Sequence, residues 1–326
     1  MDKTSNLHQR LERYFGGRSE LVKDLDLREI TSRIEFLKTS SSFETTYALY
    51  VQRREYFPKT YRKMRTFRLF KLMKINRRQR FPRIYASTQI KAGVDYFGPF
   101  ETRGQFTRLK TTLERTFRLR PCLYNIRGND PHPDCLYFQM HTCSRPCNND
   151  ISRERYLVDI DSALAFIEGR EDEIRNGLLE QIMTLSDDQR FEEAEVVRKQ
   201  LDRIDRARHE SKDTFPSVWT FDFLVLLPSD SVTRTKIAFV RAGAVIGFEE
   251  FDSEALAETL PQEILHRYSC SPPAHDRDWQ YDEFCLVAHY LLHPLKTVEL
   301  VKITKDLDLT SQLKKRKRRK KSSPLL

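Results

Sequence analysis

The sequence predicts an α+β protein built from several modest domains. Apolar residues recur at steps of three and four in several segments, which is typical of amphipathic helices, and short alternating runs towards the C-terminus are typical of strands. The chain has 326 residues, 39% of them hydrophobic, so sizeable cores are possible and wholesale disorder is excluded. No apolar run approaches ~20 residues, and the charged N-terminus lacks the apolar centre of a signal peptide. We therefore expect a cytoplasmic protein without a membrane span.

The first 170 residues predict helices separated by short strands. Helices are expected at residues 6–15, 43–57, 104–119 and 153–168. Pro58 can end the second helix, and Ser152 can cap the last one. Strands are expected at residues 30–38 and 81–87, and an aromatic turn at residues 96–100.

The clearest local unit is a helical hairpin over residues 171–206. Its two helices carry apolar stripes formed by Ile174, Leu178, Ile182 and Leu185 and by Phe191, Ala194, Val197, Leu201 and Ile204. Two helices alone bury too little surface to be stable, so the hairpin must dock on its own domain or pair with a partner hairpin.

A small α+β domain is expected after a polar linker at residues 206–217. Its predicted strands lie at residues 219–227, 235–241, 244–251 and 297–303, and a helix is expected at 282–292.

Positive charge is concentrated in two segments. The chain carries 57 Lys and Arg against 47 Asp and Glu, a net charge of +10, and the two segments lie at residues 53–83 and 314–321. Such segments suggest a polyanion, most often nucleic acid, although a tail can also be merely solubilising. The predicted DNA-binding residues are Arg53, Arg54, Lys59, Arg62, Lys63, Arg65, Arg68, Lys71, Lys74, Arg77, Arg78, Lys314, Lys315, Arg316, Lys317, Arg318 and Arg319.

Four cysteines lie within a short stretch of the chain: Cys122, Cys135, Cys143 and Cys147. In a cytoplasmic protein such a group more often binds a metal than forms disulfides. Structural zinc usually shows two close pairs of ligands, and only one close pair occurs here. An iron–sulfur cluster also takes four thiolates, often at irregular intervals. A small core of four reduced thiols is the third reading.

These residues resemble the UvrC family, the incision subunit of bacterial nucleotide excision repair, and its short relative Cho. The resemblance runs over about residues 6–206 and is strongest at residues 96–100 (YFGPF), 117–122 (FRLRPC), 145–147 (RPC) and 151–170 (ISRERYLVDIDSALAFIEGR). The cysteine spacing is also similar to that of the family, where it is taken as a [4Fe–4S] site. The resemblance therefore favours an iron–sulfur cluster over zinc.

The second helix of the hairpin resembles the UVR motif, through which UvrC-type proteins contact UvrB. The motif is similar to residues 191–201 (FEEAEVVRKQL). The resemblance implies a UvrB-like partner bound through Phe191, Glu192, Ala194, Val197, Arg198 and Leu201.

The nuclease parts of the family are incomplete in this sequence. The match begins inside the helix of a GIY-YIG nuclease domain, where Arg10 occupies the place of the catalytic arginine. The place of the metal-binding glutamate holds Leu49, and Glu44 matches an earlier acidic position. A leucine cannot hold a divalent cation, which needs oxygen ligands. No motif of the family's second nuclease, which is RNase H-like, is found. A catalytic Mg²⁺ or Mn²⁺ is therefore doubtful.

The expected organisation has five parts. They are a degenerate GIY-YIG-like domain with the basic segment (1–100), the four-cysteine region (101–170), the UVR-type hairpin (171–206), a C-terminal α+β domain (218–304) and a basic disordered tail (305–326).

Three functions are compatible with this organisation. The leading hypothesis is a UvrC-like repair protein that binds DNA and a UvrB-like partner and has an inactive nuclease remnant. One alternative is an active endonuclease that cuts damaged DNA with Arg10 and acids such as Glu44. The other is an RNA-binding or regulatory protein that reuses these modules, since phosphate contacts do not distinguish DNA from RNA.

Overall fold

The computed structural model describes residues 1–16, 27–123, 126, 135–210, 213–269, 277–295 and 297–303. It confirms the α+β class, with two antiparallel sheets and helices packed against both. None of the helices in these ranges is long and apolar enough to cross a bilayer.

The first sheet has three strands in the order β2-β1-β3. The strands are β1 (Lys71–Ile75), β2 (Ile84–Ser87) and β3 (Asp95–Phe100). Strand β2 confirms the strand predicted at residues 81–87, although it is shorter. The aromatic turn predicted at residues 96–100 is wrong, because this run pairs with β1 and buries Tyr96 and Phe97.

The described residues up to 167 also form α-helices. They are α1 (Leu7–Phe15), α2 (Leu27–Ile30), α3 (Ser42–Tyr56), α4 (Arg103–Thr116), α5 (Leu136–Gln139) and α6 (Arg153–Ile167). The four longer helices confirm the predicted ones. Asn6, Ser41, Thr102 and Ser152 cap them with side-chain oxygens that accept backbone N–H groups.

The strand predicted at residues 30–38 is not formed. Residues 31–39 adopt no regular structure, and apolar side chains on both faces of the segment are exposed, including Phe36 and Leu37. Alternation alone does not make a strand, because a strand also needs a neighbour for its backbone hydrogen bonds. None of the described strands pairs with this segment.

The hairpin is confirmed as α7 (Glu171–Asp187) and α8 (Phe191–Glu210). It docks on its own chain, because Leu178, Leu185, Val197 and Ile204 are buried in one cluster with residues of α4, α6 and the first sheet. The predicted linker starts too early, since α8 continues through residue 210.

The second sheet has the order β6-β5-β4-β7. Its strands are β4 (Phe223–Pro228), β5 (Arg234–Arg241), β6 (Ala244–Asp252) and β7 (Glu299–Lys302). Its helices are α9 (Leu256–Ser269) and α10 (Arg277–Leu292). The strands and α10 confirm the predicted elements, whereas α9 was not predicted. Alternate residues of β4 face the two sides of the sheet, which α10 and α9 cover.

Helix α3 packs on the second sheet although it lies far away in sequence. Phe43 and Tyr50 of α3 share one buried cluster with Phe223 of β4 and Phe284 of α10. The basic segment that follows α3 is therefore brought beside α10. The five-part division of the chain stays a prediction.

Candidate functional site

The four predicted thiols lie in one region of the fold. Cys122 follows α4, Cys135 precedes α5, and Cys143 and Cys147 lie in the loop before α6. Cys143 and Cys147 are buried, the other two are partly exposed, and all four are free thiols. Cys122, Cys135 and Cys147 are all close enough to Cys143 to influence its ionisation.

The surroundings of the thiols combine burial with nearby donors. Burial, together with the neighbouring cysteines, raises the pKa of Cys143 to about 12, although the Arg145 backbone N–H donates to its sulfur at 3.4 Å. Nη1 of Arg120 lies 3.6 Å from Sγ of Cys122. Sulfur ligands bind metals as thiolates. Because burial favours the neutral thiol, a bound cation or cluster would be needed to keep these thiols ionised.

The donor set fits the chemistry of an iron–sulfur cluster, which is held by four cysteine thiolates. The N–H groups of Arg120 and Arg145 are of the kind that stabilise cluster sulfurs. In the described ranges, no group of three or more His, Cys, Asp or Glu side chains has the arrangement of a metal-ion site.

The lysines of the basic segment differ from its arginines. Lys59, Lys63 and Lys71 are exposed, Lys74 is half-buried, and none of them forms an ion pair with another residue in the described part of the chain. Their charges are thus available to an external polyanion.

Most arginines of the segment instead have partners within the fold. Arg65 forms an ion pair with the buried Asp282 of α10, and Arg62 pairs with Asp278 on the same helix. Arg54 stacks on the ring of Trp279 with its guanidinium carbon 3.2 Å from the ring centroid. These contacts attach the basic segment to α10.

Further arginines of the segment contact parts of the chain other than α10. Nη1 of Arg53 donates to the carbonyl of Met64 at 2.6 Å. Arg68 donates to the carbonyl of Glu101 at 2.5 Å. Arg77 pairs with Asp95 at 2.9 Å and with Asp161 at 2.7 Å. Arg78 is exposed.

Of the predicted DNA-binding residues, Lys314, Lys315, Arg316, Lys317, Arg318 and Arg319 lie outside the described residues. Sequence reasoning missed the acidic partners on α10. The four-residue spacing of Asp278 and Asp282, which places both carboxylates on one helix face, was the available signal.

The predicted partner-binding residues of α8 divide into two groups. Phe191 is 65% exposed, and Glu192 and Arg198 are also exposed. Ala194 and Val197 are buried in the core of the chain, and Leu201 packs against it.

The outer face of the hairpin carries apolar residues that sequence reasoning missed. Leu179 and Met183 of α7 and Val196 of α8 are 43%, 67% and 66% exposed. The sequence could have indicated these residues, because they are apolar and lie outside the two predicted stripes.

The candidate catalytic residues do not meet. Arg10 contacts Asp2, the carbonyl of Lys3 and the ring of Tyr14. Leu49 is buried in α3 at 8% exposure. No other carboxylate in the described ranges forms an ion pair with Arg10.

Glu44 has a structural role at the start of α3. It accepts a hydrogen bond from the backbone N–H of Ser40 and forms an ion pair with Lys236 of β5 at 2.9 Å. Burial opposes its ionisation, but these hydrogen bonds outweigh burial and hold its pKa below the usual value.

Comparison with known proteins agrees with this architecture. Residues 70–166 match the model of a family described as UvrC/Cho excinuclease, middle domain. The match begins just before β1 and ends in α6, so it includes the first sheet, α4 and the cysteine region. This segment of the chain is therefore similar to the middle domain of these excinucleases.

Similarity over most of the chain points to the same family. The UvrABC system protein C of Clostridium kluyveri is 28% identical over 271 residues, 82% of this chain and 43% of that protein. The proteins of the same name from Syntrophotalea carbinolica and Coxiella burnetii are 28% and 25% identical, over 83% and 85% of this chain and 45% and 48% of their own lengths. No solved structure gave a significant match. Over most of its length the chain is similar to proteins of the UvrC family, and it spans less than half the length of these relatives.

The contact of Arg65 with α10 gives a test of its structural role. Replacing Arg65→Met leaves the carboxylate of Asp282 buried without its ion pair, so we expect a loss of about 3 kcal/mol in unfolding free energy at pH 8. Burial already raises the pKa of Asp282 although Arg65 opposes that rise. Protonation of the unpaired carboxyl should therefore make the loss smaller at pH 5. Urea unfolding at the two pH values measures both effects.

Lys63→Met is the matched control, because this exposed residue carries the same charge two positions away and forms no ion pair in the described part of the chain. It should change the unfolding free energy by less than about 0.5 kcal/mol. An equal effect of the two substitutions would contradict a structural role for Arg65.

Proposed function

We propose that the chain acts in nucleotide excision repair as a UvrC-like protein that binds DNA and docks a UvrB-like partner without cutting DNA itself. The observation that carries the proposal is the hairpin: one face is buried against the matched excinuclease middle domain, and the other exposes apolar residues. The names of the relatives refer to a UvrABC system, which supports the same process.

The lysines of the basic segment support DNA binding. Lys59, Lys63 and Lys71 present uncompensated charge, which attracts phosphates in any sequence. The arginines of the segment have a different role in this proposal, since their contacts with α10 orient the surface that carries the lysines.

The surroundings of Arg10 support an inactive nuclease remnant. Phosphodiester cleavage needs an activated water and a cation or cationic group that stabilises the developing negative charge. Arg10 supplies only a cationic group. The place of the family glutamate holds the buried Leu49, and the carboxylate of Glu44 forms an ion pair with Lys236.

An incision assay tests the inactive remnant. Damaged duplex DNA is incubated with this chain and UvrA- and UvrB-type proteins, and the UvrABC system protein C of Clostridium kluyveri serves as the positive control. We expect binding without incision by this chain, because Leu49 stands at the place of the family's metal-binding glutamate. Robust incision that disappears in Arg10→Ala would instead establish an active endonuclease.

A competition experiment tests the RNA-binding alternative. If RNA competes for the protein as well as DNA does, that alternative is favoured.

The docking of a partner is tested on the exposed face of the hairpin. We expect Met183→Gln with Phe191→Ser to weaken binding of a UvrB-like protein at least about tenfold, because exposed apolar anchors contribute most of the affinity at such contacts. Isothermal titration calorimetry measures the affinity. Thermal unfolding should be unchanged, since both side chains are about two-thirds exposed.

Val232→Ser is the control for that experiment. Val232 is fully exposed in the β4–β5 connection, so its substitution removes an exposed apolar side chain at a distant place. The docking proposal fails if the hairpin variant binds as tightly as this control.

The four thiols are proposed to hold a [4Fe–4S] cluster, with zinc as the alternative. Anaerobically purified protein should contain about four iron atoms per chain and show the absorbance of a cluster. We expect Cys143→Ser to lose the iron, because its serine oxygen is a poor replacement for a buried thiolate ligand.

Cys285→Ser is the matched control for the metal analysis. This buried thiol lies in α10, where it accepts the backbone N–H of Phe70, and it should not affect the metal content. One zinc ion per chain would select the alternative. Protein without iron or zinc after anaerobic purification would reject the proposed site.

A further inference from the structure

Three arginines from different segments surround one buried carboxylate. Asp159 of α6 is only 9% exposed. Nη2 of Arg155, one turn earlier on the same helix, lies 3.9 Å from its Oδ1. Arg118, just after α4, and Arg203 of α8 also act electrostatically on this carboxylate. The junction of α4, α6 and α8 therefore holds an arginine cluster, which we define as Arg118, Arg155 and Arg203.

The charges of the arginine cluster do not balance. Burial raises the pKa of Asp159 to about 6 even though all three arginines oppose the rise. A single carboxylate thus faces three guanidinium groups, which stay charged at any physiological pH. Burial, followed by repulsion from Arg118, lowers the pKa of Arg203, and Arg206 adds to that repulsion. No other carboxylate in the described ranges forms an ion pair with Arg118 or Arg203.

Two hydrogen-bond donors of the cluster have no acceptor among the residues that the structure describes. The Nε atoms of Arg118 and Arg203 are both buried without a hydrogen-bond partner. A buried donor without an acceptor destabilises a fold, and charged donors do so most. Two such donors, contributed by separate elements beside an excess of positive charge, have the chemistry of a site for an oxyanion.

The backbone holds Arg118 in place. Its φ is +52°, in the left-handed region that residues other than glycine rarely adopt. Phe117 and Leu119 on either side are buried, and the carbonyl of Arg118 accepts the backbone N–H of Ser144 at 2.9 Å. The surrounding core therefore maintains the strained conformation and fixes the backbone from which the Arg118 side chain extends.

We propose that Arg118, Arg155 and Arg203 form a phosphate-binding site that takes a phosphodiester of the bound nucleic acid. Guanidinium forks match the geometry of phosphate oxygens better than any other side chain does. The site is open on one side, because the side chain of Arg155 is 51% exposed and Arg206, which acts electrostatically on Arg203, is also exposed. A polymer backbone can reach it there. The proposal deepens the proposed DNA-binding function and rests on it for the identity of the polymer.

The test uses the full chain with Arg118→Gln and Arg203→Gln combined. Inorganic phosphate, compared with chloride at equal ionic strength, should raise the melting temperature of the wild type and leave that of the variant unchanged. The affinity for a DNA duplex should fall about tenfold in the variant. The slope of log K against log salt should become shallower by about one, because one phosphate contact is lost.

The control variant combines Arg190→Gln with Arg234→Gln. It removes the same charge from two arginines whose side chains are 53% and 52% exposed and form surface ion pairs. It should keep the phosphate response and the salt slope of the wild type. An equal loss of affinity in the control would show that net charge alone is responsible and would overturn the proposal.

The remaining outcomes separate this inference from the proposed function. If the wild type binds DNA and the Arg118/Arg203 variant binds equally well with the same slope, the phosphodiester site is refuted while DNA binding stands. If the wild type does not bind DNA, the proposed function fails, and a phosphate response lost only in the variant supports a site for free phosphate.

If the cluster had a purely structural role, the double variant would show the opposite effect on the melting temperature in phosphate-free buffer. Removing uncompensated positive charge should not lower the melting temperature in phosphate-free buffer, whereas loss of structural contacts should. A large decrease there, together with no response of the wild type to phosphate, would overturn the site. If the double variant does not fold, the half-exposed Arg155→Gln is used for the same two measurements.

Discussion

Positive charge near a protein interior must be neutralised, and this constraint assigns the arginines of the chain to different roles. The largely buried Arg65 forms an ion pair with Asp282. Arg77 forms ion pairs with two carboxylates, one on β3 and one on α6. Those pairs connect elements that are distant in sequence. Lysines tolerate exposure better, since their compact ammonium group is strongly hydrated. The surface available to a polyanion is therefore lysine-rich in the basic segment.

The arginine cluster is the exception that follows from the same constraint. Its members lie on α6, on α8 and after α4, where a single carboxylate with a raised pKa balances little of their charge. A fold that places excess charge and unpaired donors together loses stability there. Binding a phosphate would offset that loss, so stability and recognition are coupled at this junction.

The helical hairpin shows how docking in cis and partner binding can coexist. A helix pair needs one buried face, and the chain supplies that face with α4, α6 and the first sheet. Because Phe191 lies at the first position of α8, it escapes the core although it belongs to the apolar stripe. Together with Met183 it leaves apolar surface on the outside, which is the kind of surface that marks protein contacts.

Local sequence determined the four longer helices of the first 170 residues, the hairpin, α10 and the strands of the second sheet. In each of them, apolar spacing and caps such as Ser152 act within a few residues, so the pattern can be interpreted without knowing the partner. The spacing of the four cysteines was likewise visible, and their gathering into one region agrees with it.

Tertiary structure alone decided the rest. Residues 31–39 alternate like a strand but form none, whereas the aromatic run of β3 does pair, because strand formation depends on a neighbour that alternation does not specify. The same reason applies to charge. Arg65 and Lys63 look alike in the sequence, and only the packing of α3 on the second sheet brings Asp282 to one of them. Long-range contacts are set by the whole fold, and a short window of sequence does not contain them.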